Sequence, residues 1–311
     1  MKRLGIIFIA IAALGFQKVN AQQMYQISQY TFNDYVFNPA IGGIHDYYQV
    51  RTNYRYQWAG IKDAPRTYLL SAYGPHKSMP MGYGGFIYSD VTGPTNQLGV
   101  YGSYAYNILI YKDIRLSMGT FFGMKQFKID MSALRFADEE PAANIHGETY
   151  VKFMPDASLG VYAYNSQFYF GVSMNQLFGN KLEVIEEYQD KVMAKLNNHI
   201  FITGGYRYNI NRDIDIEGAT LFKIVRAAPM QMDLNVKGIW RKMAWGGISW
   251  RTGDAIGLMG GYNYQDMLYI GYSYDIMISK LRNFGGGSHE VMIGVKFNRI
   301  KQSGGSLRKI R

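Results

Sequence analysis

The feature that most constrains this chain is an alternation of apolar and polar residues with a period of two. In YQVRTNYRYQW, the even positions from Tyr48 to Trp58 are mostly apolar or aromatic, and the odd positions between them are all polar. Because successive side chains of a β-strand point to opposite faces, this stretch predicts a strand with one apolar and one polar face. The arrangement returns in MQMDLNVKGIW, IRLSMGTFFGMK, DIDIEGATLFKI and MLYIGYSYDI.

Segments of about ten residues with this alternation, separated by turn residues, are typical of transmembrane β-barrels. We therefore predict an all-β fold, a transmembrane antiparallel β-barrel of about fourteen strands, an even number like that of bacterial barrels. The predicted strands are 46–58, 66–74, 82–92, 95–107, 114–129, 156–165, 166–175, 198–208, 213–226, 228–240, 242–253, 255–265, 267–276 and 289–298.

The predicted connections between these strands alternate in length. Long ones are DMSALRFADEEPAANIHGETYVKFMP, LFGNKLEVIEEYQDKVMAKLN and MISKLRNFGGGS, whereas Asn165-Ser166, 209–212 and Gln265-Asp266 are tight. Bacterial barrels have long extracellular loops and short periplasmic turns. The alternation thus predicts that both ends of the barrel domain are periplasmic.

Two other folds compete with the barrel. Residues 157–180 carry no charge and could cross a bilayer as a helix, but Asn165-Ser166-Gln167 interrupts them and 167–175 alternates, so two strands fit better. A soluble β-sandwich or propeller would also alternate. The 27 Tyr and 17 Phe, many at predicted strand ends, favour the aromatic girdles of a membrane barrel.

The ends of the chain predict export. Residues 1–21 combine Lys2 and Arg3, an apolar run and a small-residue ending, which is typical of a cleaved signal peptide. We predict a periplasmic lead-in at 22–45, the barrel at 46–298 and a basic tail at 299–311. The chain has no Cys, which excludes a disulfide framework and a lipid-anchored N-terminal Cys.

The positive net charge of the chain does not indicate a nucleic-acid partner. The formal net charge falls from +10 to +7 when Lys2, Arg3 and Lys18 leave with the signal peptide. Lys and Arg are spread along an exported chain, so we expect no nucleic-acid partner, and membrane phosphates or an acidic protein partner fit better. The basic tail is interpreted as solvated, with docking to an acidic periplasmic partner as the alternative.

A search for catalytic motifs finds no nucleophile elbow, phosphate loop, zinc-protease helix or dinucleotide fingerprint. The five His are far apart in the sequence. We therefore expect no enzyme activity, no catalytic residues, no cofactor and no metal. The loop ADEEPAANIHGE could hold a hard cation through its oxygens, but it lacks the spacing of a known calcium loop and is interpreted as a solvated loop.

The polar face of the predicted strands carries both acids and bases. The residues expected to point into the lumen are Arg51, Arg55, Asp215, Glu217, Asp233 and Lys237. Such charges either select ions or pair with one another and close the lumen. A barrel of about fourteen strands lies between those filled by side chains and the open porins, so both outcomes are physically possible. It is too narrow for a folded protein to pass.

The stretch SQYTFNDYVFNPAIGG, followed by YRYQWAGIKDAPRTYLLSAYGP, resembles the start of the PorP/SprF family of outer-membrane proteins. The family elements are similar to Gln29, Tyr30, Phe32, Asn33, Asn38, Pro39, Ala40, Gly43, Tyr54, Arg55, Gln57, Trp58, Pro65, Thr67 and Tyr68. The segments GGFIYSDVTGPT and YAYNI also look like family segments. The resemblance runs along much of the chain and is most specific in its first hundred residues.

The resemblance implies an integral outer-membrane component of the type IX secretion system of the Bacteroidota. It implies partners in cargo with a C-terminal sorting domain, in the periplasmic ring lipoproteins or the translocon, and in outer-membrane lipid, with gliding adhesins as a further case. For a narrow lumen, capture and anchoring are more sensible than conduction. The alternative is a porin or channel for small or hydrophobic solutes. We expect residues 27–43 to be structural, with Pro39 holding Asn38 extended, or to contact a partner.

Overall fold

The computed structural model describes residues 24–133, 149–183, 193–226 and 228–299. Fourteen of the strands in these residues form one closed antiparallel barrel. In chain order the strands are β1 Tyr48–Tyr56, β2 Arg66–Pro75, β3 Met81–Thr92, β4 Thr95–Tyr111, β5 Ile114–Asp130, β6 Thr149–Tyr164, β7 Phe168–Asn175, β8 Lys181–Glu183, β9 Met193–Lys195, β10 His199–Asn209, β11 Ile214–Val225, β12 Gln231–Trp240, β13 Ala244–Arg251, β14 Ala255–Tyr264, β15 Leu268–Met277 and β16 Ser288–Phe297.

The barrel closes through pairing of β1 with β16, in which Tyr48 lies opposite Phe297 and Tyr56 lies opposite His289. Every other barrel strand pairs with its neighbour in sequence, except that β7 pairs with β10. Strands β8 and β9 form a separate two-stranded sheet within the connection from β7 to β10. The sequence pattern predicted this connection to be a long loop. The prediction of an antiparallel barrel of about fourteen strands is confirmed.

The largest boundary difference is in β6, which begins at Thr149 instead of the predicted 156. The additional residues continue the ladder with β5, from Asp130 opposite Thr149 to Met124 opposite Pro155. Pro155 lacks the N–H that most ladder positions need, so a proline there reads as a strand end. The pairing on both sides of it shows that the strand continues through this position.

The alternation places apolar side chains on the outer face of the barrel. On β14, β15 and β16, the outward residues are between 39% and 50% exposed: Ile256, Leu258, Ile270, Tyr272, Val291 and Ile293. Aromatic side chains also lie exposed near one end, among them Tyr106, Tyr208, Trp240, Tyr264 and Phe297. This band and its aromatic rim are the outer surface that a bilayer requires. The described part of the chain contains no helix that is both long and apolar enough to span a membrane.

The two ends of the barrel differ in their connections. The short-turn end carries 76–80, 112–113, 165–167, 210–213, 241–243 and 265–267, together with the start of β1 and the end of β16. At the long-loop end, β1 connects to β2, β3 to β4, β5 to β6, β7 to β10, β11 to β12, β13 to β14 and β15 to β16. In bacterial outer-membrane barrels the short turns are periplasmic and the longer loops extracellular, and we assign the two ends accordingly.

The residues before β1 lie inside the barrel. We predicted a periplasmic position for 22–45; in the structure 24–43, which we call the plug, occupies the lumen. It contains two short 3₁₀ helices, Asp34–Val36 and Pro39–Gly43. Most plug residues from Ile27 to Ile41 are buried, and both of these are 1% exposed, whereas Thr31, Phe32 and Asp34 are partly exposed. A segment without strand alternation thus fills part of the space that the barrel encloses.

Candidate functional site: the plugged lumen and its vestibule

The inner surface of the barrel has two chemically distinct walls. An aromatic wall on β2 to β7, β10 and β11 consists mainly of Leu69, Tyr73, Phe86, Tyr88, Tyr101, Phe121, Tyr162, Phe201 and Leu221. A charged wall on β11 to β16 and β1 consists mainly of Glu217, Asp233, Lys237, Arg251, Asp275, Glu290 and Arg55, all 5% exposed or less. The plug lies between them, so its two sides meet different chemistry.

The apolar side of the plug packs on the aromatic wall. Tyr35 is fully buried and stacks on Tyr73, with ring centroids 3.9 Å apart and an interplanar angle of 18°. The Tyr35 hydroxyl also lies 2.6 Å from the Ser103 hydroxyl, which satisfies its polar end. The Phe37 and Phe201 ring centroids are 5.1 Å apart. Aromatic contacts of this kind anchor a segment more strongly than their buried area alone suggests.

Backbone carbonyls of the plug accept hydrogen bonds from wall side chains. The Phe37 carbonyl accepts from Ser173 Oγ at 2.7 Å and from Asn175 Nδ2 at 3.1 Å. The Ala40 carbonyl accepts from Ser117 Oγ at 2.5 Å. A buried backbone group needs a partner, and a segment outside the sheet must find it among side chains. The polar residues of the aromatic wall therefore match the path of the plug.

Two wall glycines allow the plug to approach the strands closely. A Cβ added to Gly119 on β5 would lie 2.6 Å from the backbone nitrogen of Ala40. A Cβ added to Gly82 on β3 would lie 2.6 Å from the backbone nitrogen of Gly43. Both distances are shorter than any side chain tolerates, so plug and barrel backbones touch at these positions.

The polar side of the plug is held by Ser28. Its hydroxyl donates to Asp275 Oδ2 at 2.6 Å and accepts from Arg55 Nη1 at 2.7 Å and Arg251 Nη2 at 3.2 Å. Its backbone N–H donates to Glu290 Oε2 at 2.7 Å. One plug residue thus contacts two guanidinium groups and two carboxylates of the charged wall.

These wall charges pair with one another as well as with Ser28. Arg55 Nη2 lies 2.7 Å from Asp275 Oδ2. Arg251 contacts Asp275 at 3.3 Å and Asp233 at 3.1 Å, and Lys223 Nζ lies 3.0 Å from Asp233 Oδ2. Each of these cations has at least one carboxylate beside it, which offsets the cost of removing the charges from water. We call these residues, with Ser28 and Glu290, the ion network.

A second charged group lies nearer the short-turn end. Glu217 accepts from Lys237 Nζ at 2.7 Å and from Arg207 Nη2 at 2.5 Å. Lys237 also donates to Thr31 Oγ1 at 3.2 Å and lies 3.9 Å from the ring centroid of Phe32. Through this cation–π contact and the Thr31 hydrogen bond, the plug also contacts the charged wall nearer the short-turn end than the ion network.

Below the plug, a cavity of about 840 Å³ opens at the short-turn end, and we call it the vestibule. Its floor is formed by plug residues 31, 32 and 34, and its rim includes 165–167, Lys242 and Arg299. Above the floor the lumen is filled by the plug and the ion network: Ser28 is 1% and Glu290 0% exposed. Among the residues that the structure describes, the vestibule is therefore a blind cup without a passage through the lumen.

Arg51 and Asp34 face the vestibule from opposite elements, the barrel wall and the plug. Within the described residues, neither side chain forms an ion pair, whereas the nearby Glu217 is paired with Arg207 and Lys237. The aromatic rings of Tyr162, Tyr169 and Tyr269 lie around them. The vestibule thus offers charges of both signs, among them Arg51 and Asp34, and aromatic surface, a combination that suits a polypeptide segment.

Eight of the predicted family-motif residues lie in the plug: Gln29, Tyr30, Phe32, Asn33, Asn38, Pro39, Ala40 and Gly43. Asn33 is central, because its Nδ2 donates to Asn53 Oδ1 at 2.8 Å and its Oδ1 accepts from Ser71 at 3.1 Å. Asn38 is extended, with φ −137° and ψ 110°, and its side chain accepts from the Ala40 N–H at 3.0 Å. The motif residues before β1 therefore have structural contacts inside the lumen.

The remaining motif residues lie at the long-loop end. Arg55 belongs to the ion network. The Trp58 N–H donates to Ser288 Oγ at 3.1 Å, and the Pro65 carbonyl accepts from the Gln57 N–H at 2.9 Å. Thr67 donates to Asp90 at 2.6 Å. These contacts fix the rim around the outer end of the plug.

The six predicted lumen charges separate into three sets of two. Arg55 and Asp233 join the ion network, and Glu217 and Lys237 pair with each other. Asp215 is half-buried at the vestibule and accepts from Asn209 at 2.5 Å, and Arg51 lies in the vestibule without an ion pair. In the described structure, these charges therefore mostly pair and close the lumen.

Sequence reasoning missed five members of the ion network: Ser28, Lys223, Arg251, Asp275 and Glu290. Asp275 and Glu290 occupy inward positions of strands that were correctly predicted, so the same alternation that found Arg55 would have found them. Nothing local in the sequence marks Ser28. The acidic loop residues 138–148, the signal peptide and residues 300–311 lie outside the described residues.

The apolar outer band, the closed strand order and the plugged lumen define an integral outer-membrane β-barrel that is filled by its own N-terminal segment. Residues 19–295 match the family described as type IX secretion system membrane protein PorP/SprF. The match covers most of the chain, and the protein belongs to this family, as the resemblance predicted.

Solved barrels resemble the fold at low sequence identity. A Pseudomonas aeruginosa FadL homologue is 11% identical, with a TM-score of 0.43, covering 89% of this chain and 95% of that one. The CymD monoaromatic hydrocarbon channel is 10% identical, with a TM-score of 0.47 and coverages of 93% and 96%. Omp33 of Acinetobacter baumannii is 9% identical, with a TM-score of 0.45 and coverages of 81% and 98%. A search of curated proteins found no match.

Proposed function

We propose that this barrel is a non-enzymatic docking component of the type IX secretion system. In this role it supports the export or surface anchoring of cargo that carries C-terminal sorting domains. It does so by binding the cargo or the periplasmic ring components rather than by conducting them. Family membership supports the secretion role, and the blind lumen supports docking over conduction.

The observation that carries the proposal is the contrast between the two halves of the lumen. The outer half is filled by the plug and the ion network, in which the deep charges are used in internal pairs. The inner half is an open cup in which Arg51 and Asp34 have no ion pair among the described residues. Arg51 and Asp34 attract each other without forming an ion pair, so both keep hydrogen-bonding capacity for the charged groups of a partner.

We place the periplasmic contact at the vestibule. Arg51 suits a carboxylate of a partner, because a guanidinium binds a carboxylate through two parallel hydrogen bonds. Asp34 suits a cationic side chain, and the surrounding tyrosines suit an apolar one. A cup of about 840 Å³ accepts a segment of a partner and not a folded domain. The partner's remaining contacts then lie on the short turns around the rim.

The experiment is deletion of the gene, with complementation by the wild-type chain, and measurement of cargo with sorting domains at the cell surface. The proposal expects surface cargo to fall and to return on complementation. A general defect in the outer membrane is excluded by following the amount of an unrelated outer-membrane barrel in the same cells. Unchanged surface cargo in the deletion strain would overturn the secretion role.

A further inference from the structure

The plug contacts the wall in an order that follows the depth of the lumen. Strand β1 runs from the short-turn end at Tyr48 to the long-loop end at Tyr56, so its inward residues mark depth. Gln57, just beyond β1, donates to Gln26 Oε1 at 3.2 Å. Two positions deeper, Arg55 donates to Ser28 at 2.7 Å. Two further positions deeper, Asn53 accepts from Asn33 at 2.8 Å.

The order continues to the other end of the barrel. The Gly43 carbonyl accepts from Asn107 Nδ2 at 2.9 Å, and Asn107 lies four residues before the end of β4 at the short-turn end. Residues 44–47 then line the vestibule and lead into β1. The segment therefore descends through the lumen opposite to β1, without returning to the end where it entered.

The start of the described chain lies correspondingly at the long-loop end. Met24 and Tyr25 line a small cavity with Gln176, which follows the end of β7 at that end. The Tyr25 ring lies 4.6 Å from that of Tyr88, in the outer third of β3. A barrel with an even number of strands ordinarily has both ends of the chain on one side. Here the first described residue and the last strand's end lie at opposite ends.

We infer that the plug crosses the outer membrane inside the barrel, so that Met24 lies at the extracellular end of the lumen and Arg299 lies at its periplasmic end. The plug is then a fifteenth crossing, made through the lumen and not through lipid. This inference rests on the contact order and on the assignment of long loops to the outside. It does not depend on the proposed secretion role.

This topology assigns a different part of the chain to each side. Residues near Met24, with the long loops, form the outer face that meets extracellular molecules such as exported cargo. Residues 44–47 and Arg299, with the short turns, form the face that meets periplasmic components. This topology allows two orders of assembly. Either the strands close around a plug that is already in place, or the N-terminal segment is threaded outward through the lumen of a closed barrel.

The absence of Cys from the sequence permits a direct test. An epitope is inserted immediately before Met24 in the full chain. Two single-cysteine variants mark the ends: Phe284→Cys in 278–287, where Phe284 is 73% exposed, and Arg212→Cys in the exposed turn 210–213. We call them the outer marker and the inner marker. Intact and permeabilised cells are probed with an antibody to the epitope and with a membrane-impermeant maleimide.

The inference expects the epitope and the outer marker to react on intact cells, and the inner marker to react only after permeabilisation. It is overturned if the epitope behaves like the inner marker instead of the outer one. If the epitope prevents assembly, the variant Gln26→Cys is used instead of the epitope. The fraction of this cysteine that reacts with maleimide is compared with the fraction that reacts in the fully denatured chain. Labelling of this variant from the same side as the outer marker supports the inference. Labelling from the side of the inner marker, or from neither side in the folded barrel, contradicts it.

Discussion

The hydroxyl of Ser28 donates a 2.6 Å hydrogen bond to Asp275, a residue 247 positions later in the chain. Ser28 lies in the plug and Asp275 on β15, and both are nearly inaccessible, at 1% and 2% exposure. Asp275 simultaneously pairs with Arg55 and Arg251. The plug is thus part of the charge network that connects the first and last strands of the barrel, and it stabilises the closed sheet as well as filling it.

Glu290→Ala tests this coupling. Glu290 accepts from the backbone N–H groups of Ser28 and Gln29 at 2.7 and 3.2 Å and pairs with Arg55 at 3.4 Å. Removing one partner of a buried ion pair costs about 3–5 kcal/mol, so we expect the unfolding free energy to fall by at least about 3 kcal/mol. Denaturant unfolding in detergent, followed by the gel mobility of the folded barrel, measures it.

The matched control for Glu290→Ala is its neighbour Val291→Ala. Val291 is 39% exposed on the outer face of the same strand and does not contact the plug. We expect this variant to change the unfolding free energy by less than about 1 kcal/mol, as surface substitutions do. Equal losses in both variants would show that Glu290 has no special role in holding the plug.

Gly119→Val tests the close approach of plug and wall. The added side chain would overlap the backbone of Pro39 and Ala40, from which a Cβ would be only 2.6 Å away. We expect the plug to shift, with a loss of about 1–3 kcal/mol in stability, as for other overpacked sites, and faster hydrogen exchange of plug amides. Gly102→Val, where a Cβ meets nothing within 4 Å, is the control and should leave the exchange of the plug unchanged.

Arg51→Gln tests the vestibule as a docking site. A charge-assisted hydrogen bond contributes about 1.5–3 kcal/mol, so loss of one from Arg51 should weaken partner binding by about tenfold or more. The measurement is the amount of type IX secretion components that co-purify with the barrel, quantified by mass spectrometry. The control Arg212→Gln removes an exposed cation of the same end that lies outside the vestibule. If the two variants retain their partners equally, the vestibule is not the docking site.

The strands could be predicted because a bilayer imposes alternation on each of them. The predicted 46–58 corresponds to Tyr48–Tyr56, and the predicted 289–298 corresponds to Ser288–Phe297. The alternation also gave the inward direction of Arg55. It did not give the depth or the partners of that residue, because a period of two fixes a face and not a neighbour across the lumen.

The position of the plug could not be predicted from local pattern. Residues 24–43 contain only two short 3₁₀ helices, and their burial depends on contacts such as Ser28 with Asp275 and Tyr35 with Tyr73. The abundance of Tyr was interpreted as interfacial girdles. Tyr73, Tyr101 and Tyr162 instead face inward and receive the plug, since an aromatic residue suits lipid and a packed lumen equally well.

The central claim is that the lumen is closed by its own N-terminal segment and that the barrel docks partners instead of conducting solutes. Single-channel recording of the purified full-length barrel in a planar bilayer tests it most directly, with an open porin as the control for insertion. The account predicts no steady current after confirmed insertion of the barrel. A stable, ohmic conductance of the wild-type chain would contradict it and would favour a diffusion channel.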